Sequence, residues 1–113
     1  MAHLKIDYIE FSSGKISATT EFFGKAFGWT FVDYGPEYQA LANAGIDGGV
    51  DGTAQGPAGM ALVILKAENL EAAEKQVLTA GGTITKPIFT FPGGRRFHFR
   101  EPSGVEIAVW SET

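Results

Sequence analysis

Residues 17–29 read SATTEFFGKAFGW, and the fold is decided here. Thr19, Phe22, Phe23, Ala26 and Phe27 recur every three or four positions, the spacing of a helix with one apolar stripe. The stripe is expected to be buried. Ser17 can cap the helix start, and Glu21 sits favourably in its first turns. Gly28 is placed to end the helix as a left-handed residue, which glycine adopts without steric cost. The segment from Trp29 to Tyr34 then reads as a strand.

The same grammar extends in both directions. Upstream, Leu4 to Phe11 is a strand in which Ile9 and Phe11 alternate with Tyr8 and Glu10, and Ser12-Ser13-Gly14 breaks it. Downstream, Gly35-Pro36 is a turn, Tyr38 to Ala42 a short strand and Gly45 to Val50 a weaker one. Residues 51–59, DGTAQGPAG, read as a connector. The second half repeats the plan. Met60 to Leu65 is a strand, Asn69 a helix cap, and Leu70, Ala73 and Val77 a helix face stopped by Gly81-Gly82. Strands follow at Thr83 to Lys86 and Ile88 to Phe91, around Pro87. After the Pro92-Gly93-Gly94 turn come Arg96 to Arg100 and Val105 to Trp110. A shift of 53 residues places Gly28 on Gly81 and Glu21 on Glu74. The fold class is therefore α+β: two βαβββ repeats, about 3–50 and 60–111, in a single domain over 1–113. Each repeat leaves one sheet face without a helix. Two repeats side by side are expected to form a half-barrel with a cavity between the sheets.

Composition narrows the function. At 113 residues and 44% hydrophobic, the chain suits one folded domain. No stretch approaches the length of apolar residues that a membrane span needs. The N-terminus lacks the apolar core of a secretory signal, so the cytoplasm is the expected location. With no cysteine, thiolate catalysis, disulfides and Cys-zinc sites are excluded. A net charge of −4 and a pI near 5.0 argue against nucleic acid as a partner.

Three stretches carry a family resemblance: Glu21-Phe22-Phe23-Gly24-Lys25-Ala26-Phe27-Gly28-Trp29, Ala80-Gly81-Gly82, and Phe99-Arg100-Glu101-Pro102-Ser103-Gly104. In this order on a βαβββ repeat they resemble the vicinal oxygen chelate superfamily, which holds glyoxalases, bleomycin resistance proteins and extradiol dioxygenases. The resemblance implies a small-molecule ligand or substrate and a homodimer. In metal-dependent members it implies a divalent ion held by the first and last strand of each repeat. Here the matching positions fall on Tyr8, on Ala61 or Leu62, on Ala108, and within Gly45 to Asp51, where Asp47 and Asp51 are the candidates. Alanine and leucine cannot ligate. The usual metal set is therefore broken and no cofactor is expected, although a divalent metal on a shifted set is left open.

Strand alternation supplies that shifted set. Tyr8 and Glu10 share one face. If Val105, Ile107 and Val109 face the second helix, Glu106, Ala108 and Trp110 face the other way. If Phe97 and Phe99 are core, Arg96, His98 and Arg100 lie opposite them. Glu10, Glu106 and His98 are the candidate acid/base residues, and Tyr8, Arg96, Arg100 and Trp110 the candidate ligand contacts. Blander roles stand beside these. The glutamates can form structural ion pairs with Arg96 or Arg100, and Tyr8, Trp29, Tyr34, Tyr38 and Trp110 can be plain packing. Gly48-Gly49 and Pro92-Gly93-Gly94 read as turn or bulge glycines without the P-loop Lys-Ser/Thr, and Asp47 and Asp51 as turn residues.

Three functions follow. The first is a metal-independent small-molecule-binding protein of the bleomycin-resistance type. The second is a metal-dependent lyase, isomerase or dioxygenase of the same superfamily. The third is a small dimeric ferredoxin-like domain of the antibiotic-monooxygenase kind, which the repeat order suits less well.

Overall fold

The computed structural model describes residues 2–113. The chain runs β1 (Lys5–Ser12), α1 (Ile16–Phe27), β2 (Phe31–Asp33), β3 (Tyr38–Leu41), β4 (Gly48–Asp51), β5 (Ala61–Lys66), α2 (Leu70–Thr79), β6 (Thr83–Phe91), β7 (Gly94–Arg100) and β8 (Glu106–Ser111). This is βαβββ twice. The described residues divide into two compact units, Tyr8–Leu62 and the remainder, 2–7 with 63–113.

In the first unit the strand order is β2-β3-β4-β1. β1 pairs parallel to β4, with Glu10 opposite Gly49 and Ser12 opposite Asp51. The β4–β3 and β3–β2 pairs are antiparallel. The second unit repeats this wiring as β6-β7-β8-β5, its first strand parallel to its last and the other pairs antiparallel. In both repeats the helix supplies the crossover that a parallel first-to-last pairing requires.

Gly28 ends α1 at φ 74° and donates its N–H to Gly24 O. Gly81 holds φ 101° just after α2, so both helix stops use a left-handed glycine. Asn69 caps α2, its side chain accepting from the Ala72 N–H. Asn69→Ala is expected to cost about 1 kcal/mol, read as a lower urea midpoint with unchanged slope.

Other expectations are corrected. α1 starts at Ile16, so Ser17 lies inside it. The residue before it, Lys15, makes no side-chain cap bond; instead the Ser13 hydroxyl accepts from the Lys15 N–H. No residue of α1 is fully buried. Phe23 packs on Phe11 and Trp29, whereas Phe22 and Phe27 are 60% and 58% exposed. Pro87 does not divide a strand: β6 runs through it as the edge strand, with register shifts on either side of Lys86. An edge position tolerates a residue with no N–H to donate. Gly48 and Gly49 are neither turn nor bulge but lie within β4, Gly48 opposite Ile9 on β1 and Gly49 paired on both sides, with Glu10 on β1 and Ala40 on β3.

The core of the second unit joins α2 to one sheet face. Leu70 and Ala73 meet Phe97, Phe99 and Val109, with Ile107 packed at the edge. Val105, expected in this core, precedes β8 and is exposed.

Candidate functional site

Because Phe97, Phe99, Ile107 and Val109 turn toward α2, the period of two turns Arg96, His98, Arg100, Glu106, Ala108 and Trp110 the other way. Register makes them neighbours: Arg96 lies opposite Trp110, His98 opposite Ala108 and Arg100 opposite Glu106. All five candidate residues of the second unit therefore share one face.

A directed hydrogen-bond run crosses this face. Arg96 Nε donates to His98 Nε2 at 3.1 Å. His98 Nδ1 then lies 3.4 Å from Glu106 Oε2, and Arg100 Nη2 lies 3.7 Å from Glu106 Oε1. Arginine can only donate, so His98 accepts on Nε2 and carries its proton on Nδ1. His98 is fully buried. Burial, with positive Arg96 and Lys86 adding to it, pushes its pKa from 6.5 down to about 3. The imidazole is neutral at ordinary pH, and its one lone pair is committed to Arg96.

Aromatic rings line the same region. The Arg96 guanidinium lies 5.6 Å from the Phe89 ring centre and 5.9 Å from that of Phe91. Phe89 lies 5.8 Å from the His98 ring. Trp110 donates Nε1–H to the Asp7 carboxylate at 3.2 Å, and Lys66 Nζ sits 5.1 Å from its ring centre. The indole thus already holds a polar and a cationic partner. Lys86, Phe89 and Phe91, all on β6, are not among the candidate residues singled out by the sequence, which reads there as two short strands around Pro87.

In the first unit Phe11 packs on α1 through Phe23, so Tyr8 and Glu10 point away from the helix. They do so together with Tyr38, which the sequence suggested only as packing. Tyr38 Oη donates to Glu10 Oε2 at 3.2 Å, and the Tyr8 and Tyr38 hydroxyls are 2.5 Å apart. Glu10 is 3% exposed. Burial, then the Glu10 charge, holds the Tyr38 pKa far above the usual tyrosine value. Tyr38 reaches β1 from β3 because Gly49 stands between them: a Cβ at Gly49 would overlap the Tyr38 Oη, Cζ and Cε2.

Asp51 serves its loop, accepting from Thr53 Oγ1 at 2.7 Å and from the Gln55 N–H. Asp47 and His3 are exposed. Among the described residues no three His, Asp or Glu side chains gather into a group that could hold a metal ion. Elsewhere in the first unit an open cleft of about 550 Å³ lies at the start of α1, lined by Phe11, Lys15, Thr19, Phe23 and Met60 among others. None of the candidate residues lines it.

Residues 5–109 match the family model described as Glyoxalase/Bleomycin resistance protein/Dioxygenase superfamily. The chain belongs to this superfamily. Solved structures share its fold at low identity. A superfamily member from Vibrio splendidus 12B01 is 15% identical, with a TM-score of 0.68, over 96% of this chain and 98% of that one. The methylmalonyl-CoA epimerase of Mycobacterium tuberculosis is 13% identical, with a TM-score of 0.68, over 96% and 87%. The Mn(II)-bound glyoxalase of Novosphingobium aromaticivorans is 19% identical, with a TM-score of 0.66, over 96% of this chain but only 38% of that one. The search of curated proteins gave no match. At these identities the likeness establishes the superfamily fold, and one fold hosts many chemistries. For this superfamily member the function must be argued from its own side chains. No helix among its described residues is long and apolar enough to cross a membrane.

Proposed function

We propose that this chain is a small-molecule-binding protein of the glyoxalase/bleomycin-resistance type that works without a resident metal ion. The observation that carries the reading is the Arg96–His98–Glu106 run on the face opposite α2. A buried cation and imidazole with a partly buried carboxylate stabilise a fold no better than well-packed apolar residues would. Their presence, amid Phe89, Phe91 and Trp110, fits recognition of a small organic molecule with a ring and an oxygen-bearing or anionic group. In this reading Arg96, Arg100 and Trp110 are ligand contacts of the second unit, with His98 and Glu106 supplying polar contacts or proton transfer; in the first unit Tyr8 is a ligand contact and Glu10 supplies polar contacts or proton transfer. The protein acts in the cytoplasm as a homodimer, and exposed Phe22 and Phe27 on α1 are suited to cover by a second copy.

The donor set does not fit a metal. A cation at His98 needs a bare imidazole nitrogen, but Nε2 accepts from Arg96 and Nδ1 bears the proton. A lyase, isomerase or dioxygenase with a metal on Glu10, Glu106 and His98 would have to break the Arg96 bond first. The test joins thermal unfolding and tryptophan fluorescence across a panel of aromatic carboxylates, phenols and small oxo-acids. At least one class is expected to raise the unfolding midpoint, by about 2.7 kcal/mol of stabilisation at a hundredfold excess over Kd. A silent panel overturns the binding reading. Protein incubated with Mn(II), then cleared of excess ion, is expected to retain no stoichiometric metal; one tightly held ion per chain overturns the metal-free reading.

A further inference from the structure

We propose that residues 52–59 form a lid over Ser12, latched by Asp51 and destabilised in its closed state by two local strains. The inference goes beyond the small-molecule reading and stands or falls without it.

Ser12 ends β1, on the face it shares with Tyr8 and Glu10. It is 6% exposed, and its hydroxyl has no hydrogen-bond partner among the described residues. A hydroxyl buried in this way has lost its bonds to water without replacement, which is unfavourable. Gly56 of the loop lies against it: a Cβ there would stand 2.9 Å from Ser12 Oγ and 3.5 Å from Leu62 Cδ2. Only a residue with no side chain approaches so closely. The second strain is in the loop backbone. Ala54 holds φ 62°, a left-handed conformation that alanine adopts under constraint. The constraint comes from Asp51, which accepts from the Thr53 hydroxyl at 2.7 Å and the Gln55 N–H at 3.3 Å, on either side of Ala54. Asp51 is itself 4% exposed and fixed in β4 opposite Ser12. Both ends of the loop are glycines tied to neighbouring backbone. Gly52 N–H donates to Glu37 O, and Gly59, at φ 70°, donates to Ser12 O. Lifting the loop about these glycines relaxes Ala54 and returns the Ser12 hydroxyl to water. It breaks the Asp51 bonds and uncovers part of Leu62. The opposed effects make opening a local event, cheaper than unfolding. It admits a small molecule to the Ser12 end of the first-unit face.

The chain has no cysteine, so Ser12→Cys places a single thiol under the lid, and the neutral reagent dithiodipyridine reads it by absorbance. Labelling is expected to be slower than that of a free thiol and unchanged by low urea, because lifting a loop exposes little surface. Adding Thr53→Val, which removes one latch bond, should speed it about fivefold. Adding Ala54→Gly, which relaxes the closed backbone, should slow it about threefold. Both positions are exposed, so neither change disturbs the core. Labelling at the free-thiol rate, labelling that climbs with urea as steeply as unfolding, or a rate indifferent to both loop changes overturns the proposal. Amide hydrogen exchange gives a readout with the native serine in place. The Gln55 N–H should exchange by an opening insensitive to low urea, and Ser12→Ala, by removing the orphaned hydroxyl, should slow it about fivefold. Exchange of this amide only through global unfolding overturns the lid as well.

Discussion

Gly49→Ala is expected to lower stability by about 2–3 kcal/mol, as large an effect as many core truncations. The new methyl would occupy the space of the Tyr38 phenol, overlapping its Oη, Cζ and Cε2. The ring is the more mobile partner, so it yields, and both of its hydroxyl contacts are lost. The Glu10 carboxylate, 3% exposed, then loses the Tyr38 bond, and removing a hydrogen bond from a buried charge is costly. Tyr38→Phe loses the same bonds without the collision and should cost less, about 1–2 kcal/mol. A double-mutant cycle in urea separates the two effects. In a Tyr38→Ala background, Gly49→Ala should cost much less, because the phenol atoms that the methyl strikes are gone. An equal cost of Gly49→Ala in both backgrounds would mean that the glycine serves the strand rather than the tyrosine.

Gly49 also shows where reading the sequence stops. Two adjacent glycines suggested a turn or bulge, since a turn is the commonest reason for a glycine. The actual reason for Gly49 is cross-strand: Tyr38 on β3 passes over it on β4 to reach Glu10 on β1. Alternation along a strand fixes which face a residue takes, so the shared faces of Tyr8 with Glu10 and of Arg96, His98 and Arg100 could be read directly. Register fixes which residues on that face touch, and it is set by pairing distant in sequence. This is why Tyr38 was passed over as packing and Lys86, Phe89 and Phe91 were not considered. The helix stops at Gly28 and Gly81 were legible because a left-handed backbone is a local demand that glycine answers. The exposure of Phe22 and Phe27 was not legible, because periodicity tells which helix face is apolar and not whether anything covers it.

His98 carries the other large effect, and its sign can be worked out. In the unfolded chain its pKa is the ordinary 6.5; in the fold it lies near 3, lowered by burial and then by Arg96 and Lys86. Between these values the unfolded chain binds a proton that the native protein refuses, so stability falls as pH drops through the window. Above about pH 6.5 the group imposes no penalty. From about pH 7 to about pH 4.5 the loss amounts to about 2–3 kcal/mol, nearly all of it from the unfolded side. Protonation also turns Nε2 from acceptor to donor, facing the Arg96 Nε–H that now bonds to it, so the charged ring cannot simply be accommodated in place. His98→Gln should be less stable than wild type at neutral pH but lose less on acidification, by about the same 2–3 kcal/mol. Chemical denaturation at both pH values reads the difference, and carboxylates common to both proteins cancel in it. Parallel pH profiles in wild type and variant would show that His98 takes up its proton in the fold as readily as out of it. Nitrogen chemical shifts give an independent check: the ring should show the Nδ1–H tautomer at neutral pH and keep it until the pH nears 4.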